Sequence, residues 1–123
     1  MPVKPLSSSS LKNLCERIDF ARQGEVRSIT LLSPTSIEIR FSVQDMARGF
    51  DWIDIGFRID GVSDAKLLSD NILKTLDMSE GITAEMDTKS CAIAIGSYSG
   101  RVSEAPCYIL GTSMGYVELP FSG

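Results

Sequence analysis

Two runs decide the fold: Ser36-Ile37-Glu38-Ile39-Arg40-Phe41-Ser42-Val43-Gln44 and Trp52-Ile53-Asp54-Ile55-Gly56-Phe57-Arg58-Ile59-Asp60. In both, apolar and polar residues alternate. A period of two sends successive side chains to opposite faces of a strand. Ile37, Ile39, Phe41 and Val43 therefore share one face, and Ile53, Ile55, Phe57 and Ile59 share its counterpart. The polar connection Asp45 to Asp51, with Gly49 inside it, suits an antiparallel pair. A symmetric register sets Glu38 opposite Arg58, Arg40 opposite Gly56, Ser42 opposite Asp54 and Gln44 opposite Trp52. One face is then apolar and must be covered, and the other is charged. A slip of one residue would exchange the two faces.

Working outward, Val26 to Leu32 also reads as a strand, ended by Ser33-Pro34. Upstream the period lengthens. Leu11, Leu14, Cys15, Ile18 and Ala21 recur at three- and four-residue spacing, which predicts a helix with one apolar stripe. Ser9 or Ser10 suits its N-cap and Gly24 its stop. Residues 1–9, with two prolines and a serine run, predict a flexible lead-in. Downstream of the Asp60-Gly61 turn, Val62 to Leu68 leans to strand, and Ser69 or Asp70 begins a short helix with Ile72, Leu73 and Leu76. Ile82–Asp87 and Ser90–Ser97 predict a hairpin around Thr88-Lys89. The glycine-containing stretch from Gly96 to Glu104 predicts a loop. Pro106–Thr112 and Tyr116–Phe121 read as a final strand pair turning near Met114-Gly115. The expected architecture is α+β, with the N-terminal helix packed on a mainly antiparallel sheet of six or seven short strands. A half-open barrel is the variant. Residues 10–123 form a single domain.

The size agrees with one domain. For 123 residues and 13.4 kDa, roughly 6,500 Å² should stay exposed of about 19,000 Å² in the unfolded chain. That buries one core, not two.

Counts then exclude chemistry. There is no histidine, so Ser-His-Asp and Cys-His catalysis and His-ligated metals are excluded. Cys15, Cys91 and Cys107 are far apart in sequence with no C-x-x-C spacing, and read as reduced, buried thiols. The N-terminus has no apolar segment behind its positive charge, and no run approaches the ~18 apolar residues needed to cross a bilayer. A cytoplasmic protein without a membrane anchor is expected. The basic residues are scattered singly in a chain of net charge -4, which argues against nucleic-acid binding.

Individual motifs stay weak. Gly96-Ser97-Tyr98-Ser99-Gly100 and Gly111-Thr112-Ser113-Met114-Gly115 fit no phosphate-loop pattern, although amides at Ser97 to Arg101 offer a weak anion site. Asp45, Asp51 and Asp54 lie near Trp52, yet Asp51 and Asp54 fall on opposite sides of the pleat or at its start. Ser9-Ser10-Leu11-Lys12 is an S-x-x-K beside a mobile tail. No catalytic residue, cofactor site or metal site is expected.

What remains is a surface. Glu38, Arg40, Trp52, Asp54, Arg58 and Asp60 share the charged face of the central strand pair. Trp and Arg are common interface anchors, and Gly56 should leave a shallow dent between them. The expected function is a non-catalytic interaction domain that presents this face to a protein partner. The stretch Trp52-Ile53-Asp54-Ile55-Gly56-Phe57-Arg58-Ile59-Asp60-Gly61-Val62 resembles a segment of several small bacterial α+β families, toxin-immunity proteins among them. That resemblance implies a small acidic protein occluding a partner's basic active site. The alternative is a pocket near Trp52, Tyr98, Tyr108 and Tyr116 that takes a small ligand or supports carboxylate chemistry from Asp54 or Glu38. Self-association through an edge strand such as Tyr116–Phe121 is a third expectation.

Overall fold

The alternating runs form the centre of a five-stranded sheet in the computed structural model, which describes residues 2–123. In chain order the elements are β1 (Lys4–Pro5), α1 (Ser8–Arg17), β2 (Glu25–Ser33), β3 (Ser36–Asp45), β4 (Asp51–Asp60), β5 (Asp64–Lys66), α2 (Asp70–Leu73), β6 (Ile82–Met86), β7 (Cys91–Ile95), β8 (Tyr108–Gly111) and β9 (Ser113–Pro120). One sheet has the order β1-β9-β4-β3-β2; the other, four-stranded, has the order β5-β8-β7-β6. All neighbours are antiparallel. The fold is α+β with mainly antiparallel sheet, and it does not close into a barrel.

The register of β3 on β4 is the symmetric one, from Ser36–Asp60 to Asp45–Asp51. Ile37, Ile39, Phe41, Val43, Ile53, Ile55, Phe57 and Ile59 are all buried. Phe41 and Phe57 meet edge to face, 6.1 Å between ring centres. The second sheet and α1 cover this face. Ile93, Ile95 and Ile109 come from the sheet, and Leu11, Leu14 and Cys15 from the helix.

The helix differs from expectation at both ends. Its cap is Ser7, not Ser9 or Ser10. The Ser7 hydroxyl accepts from the Ser10 amide at 3.2 Å, and Ser10 Oγ accepts from the Ser7 amide at 2.8 Å. This reciprocal cap satisfies two otherwise orphaned amides. The expected lead-in is partly tied down. Lys4 and Pro5 pair with Tyr116 and Gly115 of β9, and the Leu6 amide donates to the Met114 carbonyl at 2.9 Å. Met1 lies outside the described residues. At its other end α1 stops at Arg17. Asp19, Phe20 and Ala21 follow with φ of 52, 55 and 58°. This left-handed turn brings Ala21 back beside Ile18, so the apolar spacing outlasts the helix that it predicted. Gly81 packs against the turn; a Cβ there would lie 2.1 Å from the Phe20 carbonyl oxygen.

The final strands are the larger correction. β8 and β9 do not pair with each other. β8 lies between β5 and β7, and β9 between β1 and β4. The chain changes sheets at Thr112, and Met114-Gly115 lies within β9 rather than at a turn. The crossing needs glycine at position 111, because a Cβ there would sit 2.4 Å from Ile59 Cγ2. No helix among the described residues is long and apolar enough to cross a membrane.

Candidate functional site

The second face of the five-stranded sheet is the one not packed against the core. β3 contributes Ser36, Glu38, Arg40, Ser42 and Gln44 to it, and β4 contributes Trp52, Asp54, Gly56, Arg58 and Asp60, paired as the alternation predicts. The six residues singled out in the sequence thus share one face.

Although Glu38 lies opposite Arg58, the charged contacts run along the strands. Arg40 Nη2 holds Glu38 Oε1 at 2.9 Å, and Arg58 Nε holds Asp60 Oδ1 at 3.1 Å, both along a strand. Glu38 leans over Gly56; a Cβ at Gly56 would come within 3.0 Å of its Oε1. The dent expected at Gly56 is therefore filled by the Glu38 carboxylate. The Ser36 hydroxyl donates to Asp60 Oδ1. That bond, with Arg58 beside it, holds the Asp60 carboxyl below its usual range.

Asp54 is a correction. It is 1% exposed and cannot serve as a surface contact. Arg27 Nε donates to Ser42 Oγ, and the Ser42 hydroxyl donates to Asp54 Oδ1 at 2.6 Å. Asp54 thus orients Arg27 through Ser42, a buried relay beneath the face. Above it the Arg27 guanidinium lies 5.5 Å from the centre of the Phe121 ring, and Trp52 packs on Phe121 at 5.6 Å. Trp52 is 38% and Phe121 43% exposed, and Phe50 is exposed nearby in the chain. Phe121 is missed in the sequence because it lies far from the central hairpin in the chain, and Arg27 because regular alternation along Val26–Leu32 does not place it on the outer face. Arg27 falls at a break in the β2–β3 register between Val26 and Ser28, which turns it to the outer face.

A second charged cluster lies at the rim of the core face. Arg17 Nε is 3.0 Å from Asp45 Oδ1, and Arg17 Nη2 bonds Glu118 Oε1. Arg48 reaches the same two carboxylates at 3.4 and 3.1 Å. This ties α1 to the end of β3 and to β9. The Arg17 hydrogen bond, with the Arg17, Arg48 and Lys4 charges, holds Glu118 below its usual range.

The pH dependence of stability follows. Asp60 and Glu118 are more acidic folded than unfolded, so their contribution is complete above the unfolded carboxyl range and is lost as pH falls through the folded values. Burial raises the thiols of Cys15 and Cys91 from 9.0 to about 11, so stability is lost as pH rises between those values. With no histidine, no side chain has its ordinary titration between these limits. Thermal melts should be level from about pH 5.5 to about pH 8 and fall on both flanks. Glu118→Gln should make the acid flank shallower. A steep change between about pH 6 and 8 would contradict this account.

Other expected features are not assembled. Trp52, Tyr98, Tyr108 and Tyr116 do not line a common pocket. Tyr98 and Tyr108 pack with Ala94, Val102 and Ala105 beside the second sheet, whereas Trp52 lies on the first. An open cleft of about 450 Å³ is lined by Glu85, Asp87, Cys91, Ala92 and Leu110 among others, with neither Asp54 nor Glu38. The amides offered as an anion site are largely occupied. Tyr98 N donates to Thr83 Oγ1, Gly100 N to Glu85 Oε1, and Arg101 N to the Tyr98 carbonyl. Asp45 and Asp54 point to opposite sides of the sheet, so they form no acid–base pair. The three cysteines are free and buried. Among the described residues no group of His, Cys, Asp or Glu is placed to hold a metal ion. Compared with family models, with curated proteins and with solved structures, the chain matches none.

Proposed function

We propose that the protein is a binding module that docks a protein partner on the outer face of its five-stranded sheet. The observation that carries this is the half-exposed Trp52–Phe121 pair, stacked beside an Arg27 whose guanidinium is oriented by the buried Ser42–Asp54 relay. Aromatic and arginine side chains on a rigid support lose little conformational freedom when they dock, and such residues dominate interface energetics. Arg40, Arg58, Glu38 and Asp60 give the same face a polar surround that selects orientation. The net charge of -4 favours a partner with a basic face, as the immunity-protein resemblance implies.

The test is quantitative capture of partners from the source cell's lysate by the tagged protein, beside Trp52→Ala and Arg58→Glu variants that melt as the parent does. Alanine at a central aromatic anchor should weaken the partner at least about tenfold, and Arg58→Glu should slow its association. A partner bound equally by all three proteins would remove this face from the interface. Absence of any partner, with a small molecule raising the melting temperature instead, would overturn the module reading.

A further inference from the structure

We infer that the β2 edge is a self-association surface, where a second copy of the chain adds its own β2 antiparallel across a two-fold axis. β2 closes one side of the five-stranded sheet with nine residues. Among the described residues no backbone hydrogen bond reaches Val26–Ser33 from any segment except β3. The helix α2 lies beside β2, and at the start of the strand Gly24–Arg27 face Leu73, Lys74 and Leu76 across an open cleft. From Thr30 to Ser33 every residue is exposed, with Leu31 at 63% and Leu32 at 43%. An edge of this kind presents a row of unpaired amides and carbonyls, ready to template another strand.

The occupant follows from charge and register. From Ser28 to Ser36 there is no charged residue, so two chains of net charge -4 can meet here without like charges opposed. Breaks in pairing at Val26/Ser28 and Leu31/Ser33 leave Ser28 to Leu31 as the regular stretch. A two-fold axis perpendicular to the sheet must oppose residues of the same face. Centring it on Ile29 sets Arg27 against Leu31. Centring it on Leu31 sets Ile29 against Ser33. Centring it on Thr30 opposes Ile29 to Leu31 twice and Thr30 to itself, which covers the most exposed leucine with an apolar neighbour and leaves Arg27 outside the apolar pairs. The result is a continuous ten-stranded sheet (twice five) whose outer faces, with Trp52 and Phe121, remain free. An interface built on one short strand pair falls short of the standard ~1,600 Å², so a weak dimer that forms only as concentration rises is expected.

Light scattering across a concentration series, from low micromolar to millimolar, tests this. The mass should rise from 13.4 kDa toward twice that value. Leu31→Lys, at an exposed site, should weaken association at least tenfold, whereas Trp52→Ala should leave it unchanged. Thr30→Cys should form an intermolecular disulfide on mild oxidation. Ser63→Cys, away from β2, should not, and the native cysteines are buried. A chain that stays monomeric at millimolar concentration overturns the inference, including the case where only a foreign extended peptide pairs with β2. Association that is insensitive to Leu31→Lys, or that gives no cross-link at Thr30→Cys, also overturns it. Because Trp52 plays no part in this pairing, failure here leaves the sheet-face reading intact, and the reverse holds.

Discussion

Phe57→Ala should destabilise the protein by about 4 kcal/mol, the upper part of the range for deleting a buried aromatic ring. Phe57 is fully buried on β4, opposite Ile39 of β3 and Tyr116 of β9, with Phe41 edge-on to its ring. It sits on a central strand between two others, where the backbone cannot collapse into the space that the ring leaves. The loss therefore combines the transfer term with an unrelaxed cavity. For a domain of this length the melting temperature should fall by roughly 15 °C. Urea unfolding followed by circular dichroism measures the difference directly. A loss below about 2 kcal/mol would mean that the two layers close around the missing ring, and that the sheet packing is softer than the burial implies.

Arg17→Met should cost about 3 kcal/mol, because it leaves the buried Asp45 carboxylate with only the Ala47 amide and the more distant Arg48. Asp45 is 1% exposed at its side chain, and Oδ2 has no hydrogen-bond partner. Its charge is balanced by Arg17, which also holds Glu118, and by Arg48 at longer range. Methionine keeps the apolar stem of Arg17 and removes only the guanidinium, so packing loss is small. Arg48→Met offers the comparison. Its side chain is more than half exposed, and its removal should cost less than about 1 kcal/mol. Equal small losses for both variants would show that water reaches Asp45 and that the cluster acts as a surface network. A larger loss for Arg17→Met at pH 7 that narrows as pH falls through the lowered Glu118 carboxyl would identify the electrostatic origin.

Much of the architecture is legible in the sequence. The period of two between Ser36 and Asp60 keeps both apolar sets on one face in every second register, and the symmetric one of these, assumed around the Asp45–Asp51 connection, is the one observed. The helix stripe was legible for a similar reason. Leu11, Leu14, Cys15, Ile18 and Ala21 are all buried, although the last belongs to the left-handed turn after α1. The helix start was misplaced because four consecutive serines offer equivalent capping oxygens. Only the position of the chain against β9 chooses Ser7 among its neighbours.

The candidate site was legible as a set of residues on one face and not as a set of contacts. Alternation assigns Asp54 to the outer side of the pleat, yet it does not reveal that Ser42 and Arg27 cover it. It places Glu38 across from Arg58, yet Arg40 and the gap at Gly56 claim the carboxylate. Phe121 joins Trp52 through the path of β9 beside β4, a pairing between residues far apart in sequence.

By itself, the sequence determined the local elements, the central hairpin and its two faces, since these depend on side-chain period and turn chemistry over neighbouring residues. It also determined the absence of histidine chemistry. Tertiary structure alone decided that β8 and β9 part into different sheets, that β2 is left as an open edge, and that Asp54 is buried while Trp52 is not. Each of those outcomes depends on which strand lies next to which. Strand partnership is set by the summed packing of distant segments, and an alternating pattern carries the face of each residue but not the identity of its neighbour.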